Sequence, residues 1–435
     1  MGTFVAQNAL AALPIQHWTQ ASGAQVFLVE SPSIPILDVQ IDVDAGGRRD
    51  PVAQAGLAAA TAGSATQGVR AVGGLPALDE NALGEAWADL GASFGASAGS
   101  DRMSFSLRTL TEPDLLDRSI ALAARQLGEP AFAPDIWARD RARMTASWKE
   151  ANTRPSVQAG RAFAAAVYGD HPYGFESTPD TWARISVSDM QALYSRSILP
   201  CRAKVSVVGA VTRAQADSLV QRLLARLPQT PCAQLAPLPV VPEVQPLARA
   251  SETRIPFDSA QAHVYMGQPG VKRSSPDFFA LTVGNYILGG GGFVSRLTTE
   301  VRERRGLSYS VFSDFSPGLH AGAFTIGLQT RPDQANEAVQ VVRDVVTGFV
   351  KGGPTEAELE AAKSNLIGGF ALRIDSNRKL LGNVANIAWN NLPLDYLDTW
   401  TQQVARVSSA EVRDAFSRTL QPQTMATVIV GDQKP

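Results

Sequence analysis

The sequence predicts an α+β protein that consists of two homologous units in tandem, each an antiparallel sheet with helices packed on it as a sandwich. The main observation is an internal repeat, because residues 185–209 and 407–431 align without a gap at an offset of 222 residues. The segments FSLRTLTEPD (residues 105–114) and FTIGLQTRPD (residues 324–333) align at the similar offset of 219. Two alignments at nearly one offset indicate a duplication rather than two unrelated strand and helix patterns.

Both units show the same order of elements. Each begins with a strand of alternating apolar and polar residues, continues through a helix to a second strand, and then reaches a helix that starts at a Pro-Asp pair. A longer helical region, a helix whose first serine can cap free N–H groups, and an apolar strand complete the unit. The predicted bounds are strand 37–43, helices 54–65 and 278–288, helices 114–127 and 333–350, helices from Ser188 and from Ser408, and strands 205–208 and 427–430.

A proline-rich stretch separates the two units. Residues 227–248 read LPQTPCAQLAPLPVVPEVQPLA, and the prolines block both a helix and a central strand. This composition is typical of a linker. The predicted organisation is therefore a first unit at residues 1–229, a linker at residues 230–252 and a second unit at residues 253–435.

The composition excludes several functional classes. Hydrophobic residues make up 45% of the chain, charged residues 18%, and the net charge is −2, so no basic surface indicates nucleic-acid binding. No stretch approaches the roughly 18 apolar residues of a membrane helix. Residues 1–13 lack a complete export signal but fit the remains of a removed one. Cys201 and Cys232 either pair in an oxidising compartment or stay as two buried thiols, and we expect a periplasmic location with the cytoplasm as the alternative.

A predicted strand, a Gly-Gly-Arg-Arg-Asp-Pro turn and a Gly-Leu-Ala helix start occupy residues 45–58, AGGRRDPVAQAGLA. This segment resembles the approach to the active-site helix of the pitrilysin and insulinase-like zinc peptidases. The mitochondrial processing peptidase and the core proteins of respiratory complex III belong to the same family. The resemblance covers nearly the whole chain, and it implies tandem α+β halves that are joined by a linker and form half of a clamshell.

The resemblance also shows where a zinc site is missing. In active members the helix after Gly-Leu-Ala carries H-x-x-E-H, in which two histidines bind zinc and the glutamate activates the metal-bound water. Here the corresponding residues are Ala59, Ala62 and Gly63, which can neither bind metal nor move a proton. The third family ligand is a glutamate on a later helix, where this chain offers Glu150. The four histidines are scattered and none pair at helical spacing: His17, His171, His263 and His320.

The second unit keeps a different motif. The run Gly289–Gly292 precedes a helix that contains Arg302 and ends near Gly306, with Tyr309 expected in the next strand. This pattern resembles the family's second-half motif, in which an Arg and a Tyr seven positions later hold the substrate. The alternative is that Arg302 lies on a solvated helix end and Tyr309 fills the core. The glycine run lacks a phosphate-binding pattern, so we expect a flexible or tightly packed turn.

The resemblance implies a subunit of a heterodimeric zinc peptidase that is inactive alone and binds no cofactor itself. Arg302 and Tyr309 would bind and polarise the scissile carbonyl in the H-x-x-E-H site of a homologous catalytic partner, which would hold the zinc. The substrate would be a peptide or an unfolded polypeptide. Two alternatives stay open, a catalytically inert scaffold like the complex III core proteins and a homodimeric peptide-binding protein.

Overall fold

The computed structural model describes residues 14–433, and the interpretation of residues 1–13 as the remains of an export signal lies outside them. The first sheet has six strands, which are β1 Gln16–Thr19, β2 Gln25–Glu30, β3 Ile36–Val43, β4 Ser93–Ala98, β5 Met103–Leu110 and β6 Lys204–Gly209. Their order in the sheet is β1-β2-β6-β3-β5-β4. Apolar residues alternate along β5, so that one face packs into the core and the other carries polar groups.

The second sheet has five strands, which are β7 Ser251–Ile255, β8 Ala262–Pro269, β9 Val311–Phe315, β10 Ala323–Thr330 and β11 Ala426–Val430. Their order in the sheet is β7-β11-β8-β10-β9. Each sheet contains one parallel pair, β2–β6 and β7–β11, and its other pairs are antiparallel. Five strands of the first sheet thus repeat the order and directions of the second, which supports the duplication. The predicted α+β fold with two sheets is confirmed.

The helices follow the predicted order of elements closely. In the first unit they are α1 Leu57–Ser64, α2 Glu80–Asp89, α3 Pro113–Gly128, α4 Pro134–Ala151, α5 Pro155–Tyr168, α6 Pro179–Ala183, α7 Val187–Ser197 and α8 Arg213–Leu224. In the second unit they are α9 Phe278–Asn285, α10 Ala335–Gly352, α11 Glu356–Gly368, α12 Asn377–Trp389, α13 Tyr396–Arg406 and α14 Ser409–Thr419. Ser408 caps α14 as predicted, but Ser186 rather than Ser188 caps α7. No helix in residues 14–433 is long and apolar enough to cross a membrane.

The two units exchange equivalent helices. Helix α5 of the first unit packs on β8 and β11 of the second sheet, where the Phe163 ring stacks on Tyr265 with centroids 5.6 Å apart. Helix α12, which begins 222 residues after α5, packs on β3 and β6 of the first sheet. There Lys204 Nζ donates to the Ala388 carbonyl at 2.7 Å. In each unit, therefore, one helix packs on the sheet of the other unit. The unit boundaries at residues 229 and 253 stay a prediction.

The proline-rich segment is attached to both units. Cys201 and Cys232 form a disulfide at its beginning, which resolves the choice between a bridge and two thiols. Further along, Arg49 Nη1 donates to the Pro239 carbonyl at 2.9 Å. Glu243 then contacts Lys272 at 2.6 Å and His320 at 3.1 Å. The segment therefore lies along the surface of both units, and β7 begins at Ser251, inside the predicted linker range.

Candidate functional site

The glycine run lies between α9 and a helical turn at Thr298–Glu303. Helix α9 continues as a wider helical turn, Tyr286–Gly290, that packs closely against β9. A Cβ at Gly289 would lie 2.4 Å from Ser313 Oγ, so only glycine fits there. Ser313 Oγ donates to Asn285 Oδ1 at 2.7 Å, and Asn285 Nδ2 donates to the Ser313 carbonyl at 3.0 Å. The run is therefore a tightly packed turn at Gly289, one of the two predicted alternatives.

The end of the run directs two apolar side chains into solvent. Gly292 adopts φ +62°, a left-handed conformation that glycine tolerates best. A short turn at Gly292–Val294 follows, closed by the Ser295 N–H and its Oγ, which both donate to the Gly292 carbonyl. Phe293 is 68% exposed and Val294 is 75% exposed. Such exposure of neighbouring large apolar residues marks a candidate contact surface.

Gly306 ends the helical turn that carries Arg302. Its φ of +63° reverses the chain, while its N–H donates to the Arg302 carbonyl at 3.0 Å. Tyr309 lies two residues before β9 rather than within the strand, which corrects the predicted position. Tyr309 is 81% exposed, so the interpretation of this residue as core filling is wrong.

Two aromatic rings hold the Arg302 side chain. Its guanidinium carbon lies 4.8 Å from the centroid of the Tyr309 ring and 4.7 Å from the centroid of the Phe293 ring. Within residues 14–433 no hydrogen bond or ion pair reaches the guanidinium. By contrast, Arg304 and Arg305 on the same turn both pair with Glu300. The structure therefore brings Arg302 and Tyr309 together and leaves the Arg302 donors uncommitted.

Arg296, earlier in the motif, has a structural role. Its guanidinium makes two bonds of 2.7 Å to the two carboxylate oxygens of Glu358 on α11. These bonds, with help from the capping Thr355, hold the pKa of Glu358 at about 2. The bidentate pair attaches the segment before Thr298–Glu303 to the body of the second unit.

The three positions of the missing metal motif lie on α1. Ala59 is exposed and lines an open cavity of about 280 Å³, together with Asp50, Arg48 and Tyr173. Ala62 is buried, and a Cβ added at Gly63 would meet no atom within 4 Å. Methyl groups and open space stand where ligands would be, so these residues do not fit zinc.

Glu150 does not complete a metal site either. It lies exposed near the end of α4 and does not line the cavity beside Ala59. In residues 14–433 no group of three or more His, Cys, Asp or Glu side chains is placed to hold a metal ion. The first unit therefore keeps the position of a metallopeptidase helix without its donor groups.

Asp50 is a buried acidic residue in the lining of this cavity. Its carboxylate accepts the backbone N–H groups of Gly56 at 2.9 Å and Ala58 at 3.0 Å, which satisfies the free amides at the start of α1. Burial raises the pKa of Asp50 to about 6, although these N–H bonds oppose the rise.

The structure contains a pair of histidines in contact that no sequence pattern predicted. The rings of His171 and His320 lie 5.2 Å apart, and the backbone N–H of His320 donates to the Tyr173 hydroxyl at 3.2 Å. Tyr173 in turn donates to Asp101 Oδ1 at 2.5 Å. The two histidines are 149 residues apart in the chain, so no local spacing could have predicted their contact.

The duplicated α+β fold and the helix at Leu57–Ser64 identify a homologue of the zinc peptidases that has Ala59, Ala62 and Gly63 at the positions of H-x-x-E-H. The chain belongs to the peptidase M16 family, because it is 32% identical to a solved M16 protein and residues 184–366 match the family described as peptidase M16 inactive domain. The family resemblance predicted from residues 45–58 and from the Arg–Tyr motif is thereby confirmed.

Similar proteins agree with this assignment. That solved structure, the peptidase M16 inactive domain from Pseudomonas fluorescens, aligns over 97% of this chain and 100% of that chain, with a TM-score of 0.89. The non-peptidase homolog YmxG of Helicobacter pylori is 25% identical over 446 residues, which cover 100% of this chain and 97% of that protein. An uncharacterized zinc protease of Mycobacterium leprae is 28% identical over 287 residues, 63% of this chain and 62% of that protein.

Proposed function

We propose that this chain is the non-catalytic subunit of a heterodimeric zinc peptidase and that it supplies Arg302 and Tyr309 to its partner's active site. The observation that carries the proposal is the guanidinium of Arg302, which is held by two rings and has no hydrogen-bond partner in residues 14–433. A charged donor group that is ordered but uncommitted is suited to an external acceptor.

The chemistry of the pair fits a peptide carbonyl. Arg302 offers several N–H donors in a planar fork, and the exposed Tyr309 offers one hydroxyl. Both can donate to a carbonyl oxygen and to the negative oxygen that develops when water attacks the carbon. Removal of one such donor typically costs about 3 kcal/mol of transition-state stabilisation.

The missing ligands explain why a partner is required. With Ala59, Ala62 and Gly63 in place of H-x-x-E-H, this chain cannot activate water itself. A homologous subunit with an intact motif would bind the zinc that polarises the carbonyl and the attacking water. The substrate is a peptide or an unfolded polypeptide segment, and the Cys201–Cys232 disulfide supports an oxidising compartment such as the periplasm.

The test combines this chain with an H-x-x-E-H homologue and measures cleavage of an unstructured fluorogenic peptide, with and without chelator. We expect the mixture to exceed the homologue alone, and we expect Arg302→Ala and Tyr309→Phe each to lower kcat on the order of 100-fold. Arg304→Ala is the matched control, because Arg304 lies on the same turn but pairs with Glu300. A mixture no more active than the homologue alone would reject the proposal and favour the inert scaffold.

A further inference from the structure

Phe293 is an aromatic side chain whose exposure needs an explanation. The ring is 68% exposed, although burying a phenylalanine is normally favourable. Its backbone is not free, because the turn at Gly292–Val294 is closed by Ser295 and the preceding Gly289 is packed against Ser313. The ring is therefore presented from a fixed backbone, and the Arg302 guanidinium carbon lies 4.7 Å from the ring centroid.

The anchoring of Arg302 differs from that of its neighbours. Arg296 is anchored by Glu358, and both Arg304 and Arg305 are anchored by Glu300. A carboxylate anchor occupies the N–H donors at the edge of the guanidinium plane. An aromatic ring instead attracts the cation through its face and leaves those donors free.

We propose that Phe293 is a positioning residue, whose ring holds the Arg302 guanidinium beside Tyr309 so that its N–H donors stay oriented toward the substrate carbonyl. The inference rests on the proposed function and deepens it by assigning a role to the side chain that ends the glycine run. Without the Phe293 ring, the Tyr309 ring alone would hold the long Arg302 side chain, so part of its ordering would have to occur during the reaction and the rate would fall.

Four variants in the active heterodimer separate positioning from apolar contact. An exposed cation–ring contact of this type corresponds to about a twofold to fivefold change in kcat/KM. We expect Phe293→Ala and Phe293→Leu to show this loss mainly in kcat, and Phe293→Trp to retain full activity, because indole is the strongest cation-binding ring. Val294→Ala is the matched control, since Val294 is similarly exposed on the same turn but has no aromatic ring to attract the Arg302 guanidinium.

A double-variant cycle tests whether Phe293 acts through Arg302. In an Arg302→Ala background, Phe293→Ala should have no further effect on kcat/KM. A loss of equal size in both backgrounds, or a Phe293→Leu variant as active as wild type, would overturn the positioning role.

A second readout keeps this inference separate from the proposed function. In the arginine-labelled chain with its partner, NMR order parameters of the Arg302 Nε–H group should fall in Phe293→Ala and not in Val294→Ala. Unchanged order in Phe293→Ala would overturn the positioning role by itself. If that order falls but Arg302→Ala leaves turnover unchanged, the contact stands and the proposed function fails.

Discussion

The carboxylate of Asp50 accepts the backbone N–H of Ala58 at 3.0 Å, at the start of the helix where active zinc peptidases carry their ligands. The bond belongs to a buried carboxyl whose pKa is raised to about 6, with burial as the main cause. In the unfolded chain the same group has a pKa near 3.8. The folded state therefore binds the Asp50 proton more tightly than the unfolded state does.

The first prediction is a stability that falls with rising pH because of Asp50. The contribution is fully present below pH about 4 and is lost as the pH rises through about 6, with a total near 3 kcal/mol. We expect wild type to gain most of this amount, about 2.5 kcal/mol, relative to Asp50→Asn between pH 7 and pH 4, since asparagine can still accept a helix N–H but does not titrate. Urea unfolding of both proteins at several pH values measures the difference. If the free energies of unfolding of the two proteins change in parallel with pH, the pKa of Asp50 is not raised.

The second prediction concerns two glycines with opposite backbone requirements. Gly63 lies within α1 and Gly306 has φ +63°, and an added Cβ meets no atom within 4 Å at either position. Packing is therefore equal, and only backbone conformation differs. We expect Gly63→Ala to raise the free energy of unfolding by about 0.5–1 kcal/mol and Gly306→Ala to lower it by about 1–2 kcal/mol. Thermal unfolding of the two variants decides this, and shifts of the same sign would refute the argument.

Local patterns predicted the elements of the fold well. The duplication, the strand at residues 37–43 and the helix capped at Ser408 could be recognised because period, Pro-Asp pairs and capping serines act within a few residues. The exchange of α5 and α12 could not be recognised, because the apolar face of a helix does not specify which sheet it packs on. Only the three-dimensional path of the chain decides between these arrangements.

Only part of the candidate site could be predicted, because only part of it depends on residues that are close in the sequence. The spacing of Arg302 and Tyr309, with Gly306 between them, indicated a corner where the two side chains meet. The contact of Phe293 with Arg302 was missed, because it depends on the path of the chain between the glycine run and the helical turn. Likewise, the contact between His171 and His320 joins two units and has no local signal in the sequence.

The third prediction concerns the disulfide. Cys201 and Cys232 are 31 residues apart, and closing a loop of this size reduces the entropy of the unfolded chain by an amount worth about 3–4 kcal/mol at most. Cys232 is exposed, so a small reductant can reach the bond. We expect reductant to lower the unfolding midpoint of wild type to that of Cys201→Ser/Cys232→Ser, and to leave the double variant unchanged. A midpoint insensitive to reductant in wild type would show that the bridge does not stabilise the chain.

The fourth prediction follows from the exchange of helices. Phe163 on α5 is 6% exposed and packs against the second sheet, where its ring stacks on Tyr265. Truncation to alanine should therefore cost about 3–5 kcal/mol, although the residue belongs to the first unit by sequence. Because α5 packs on the second sheet, the loss of stability should affect both units, and the protein should still unfold in a single transition.

Hydrogen exchange can locate that loss. We expect Phe163→Ala to weaken amide protection in β8 and β11 of the second unit as well as in α5 itself, since all three elements share one apolar contact. Ala165→Gln is the matched control, because Ala165 is exposed on the same helix and its replacement should change stability by no more than about 0.5 kcal/mol. If protection falls in the first unit alone, α5 is not an integral part of the second core, and the two units unfold independently.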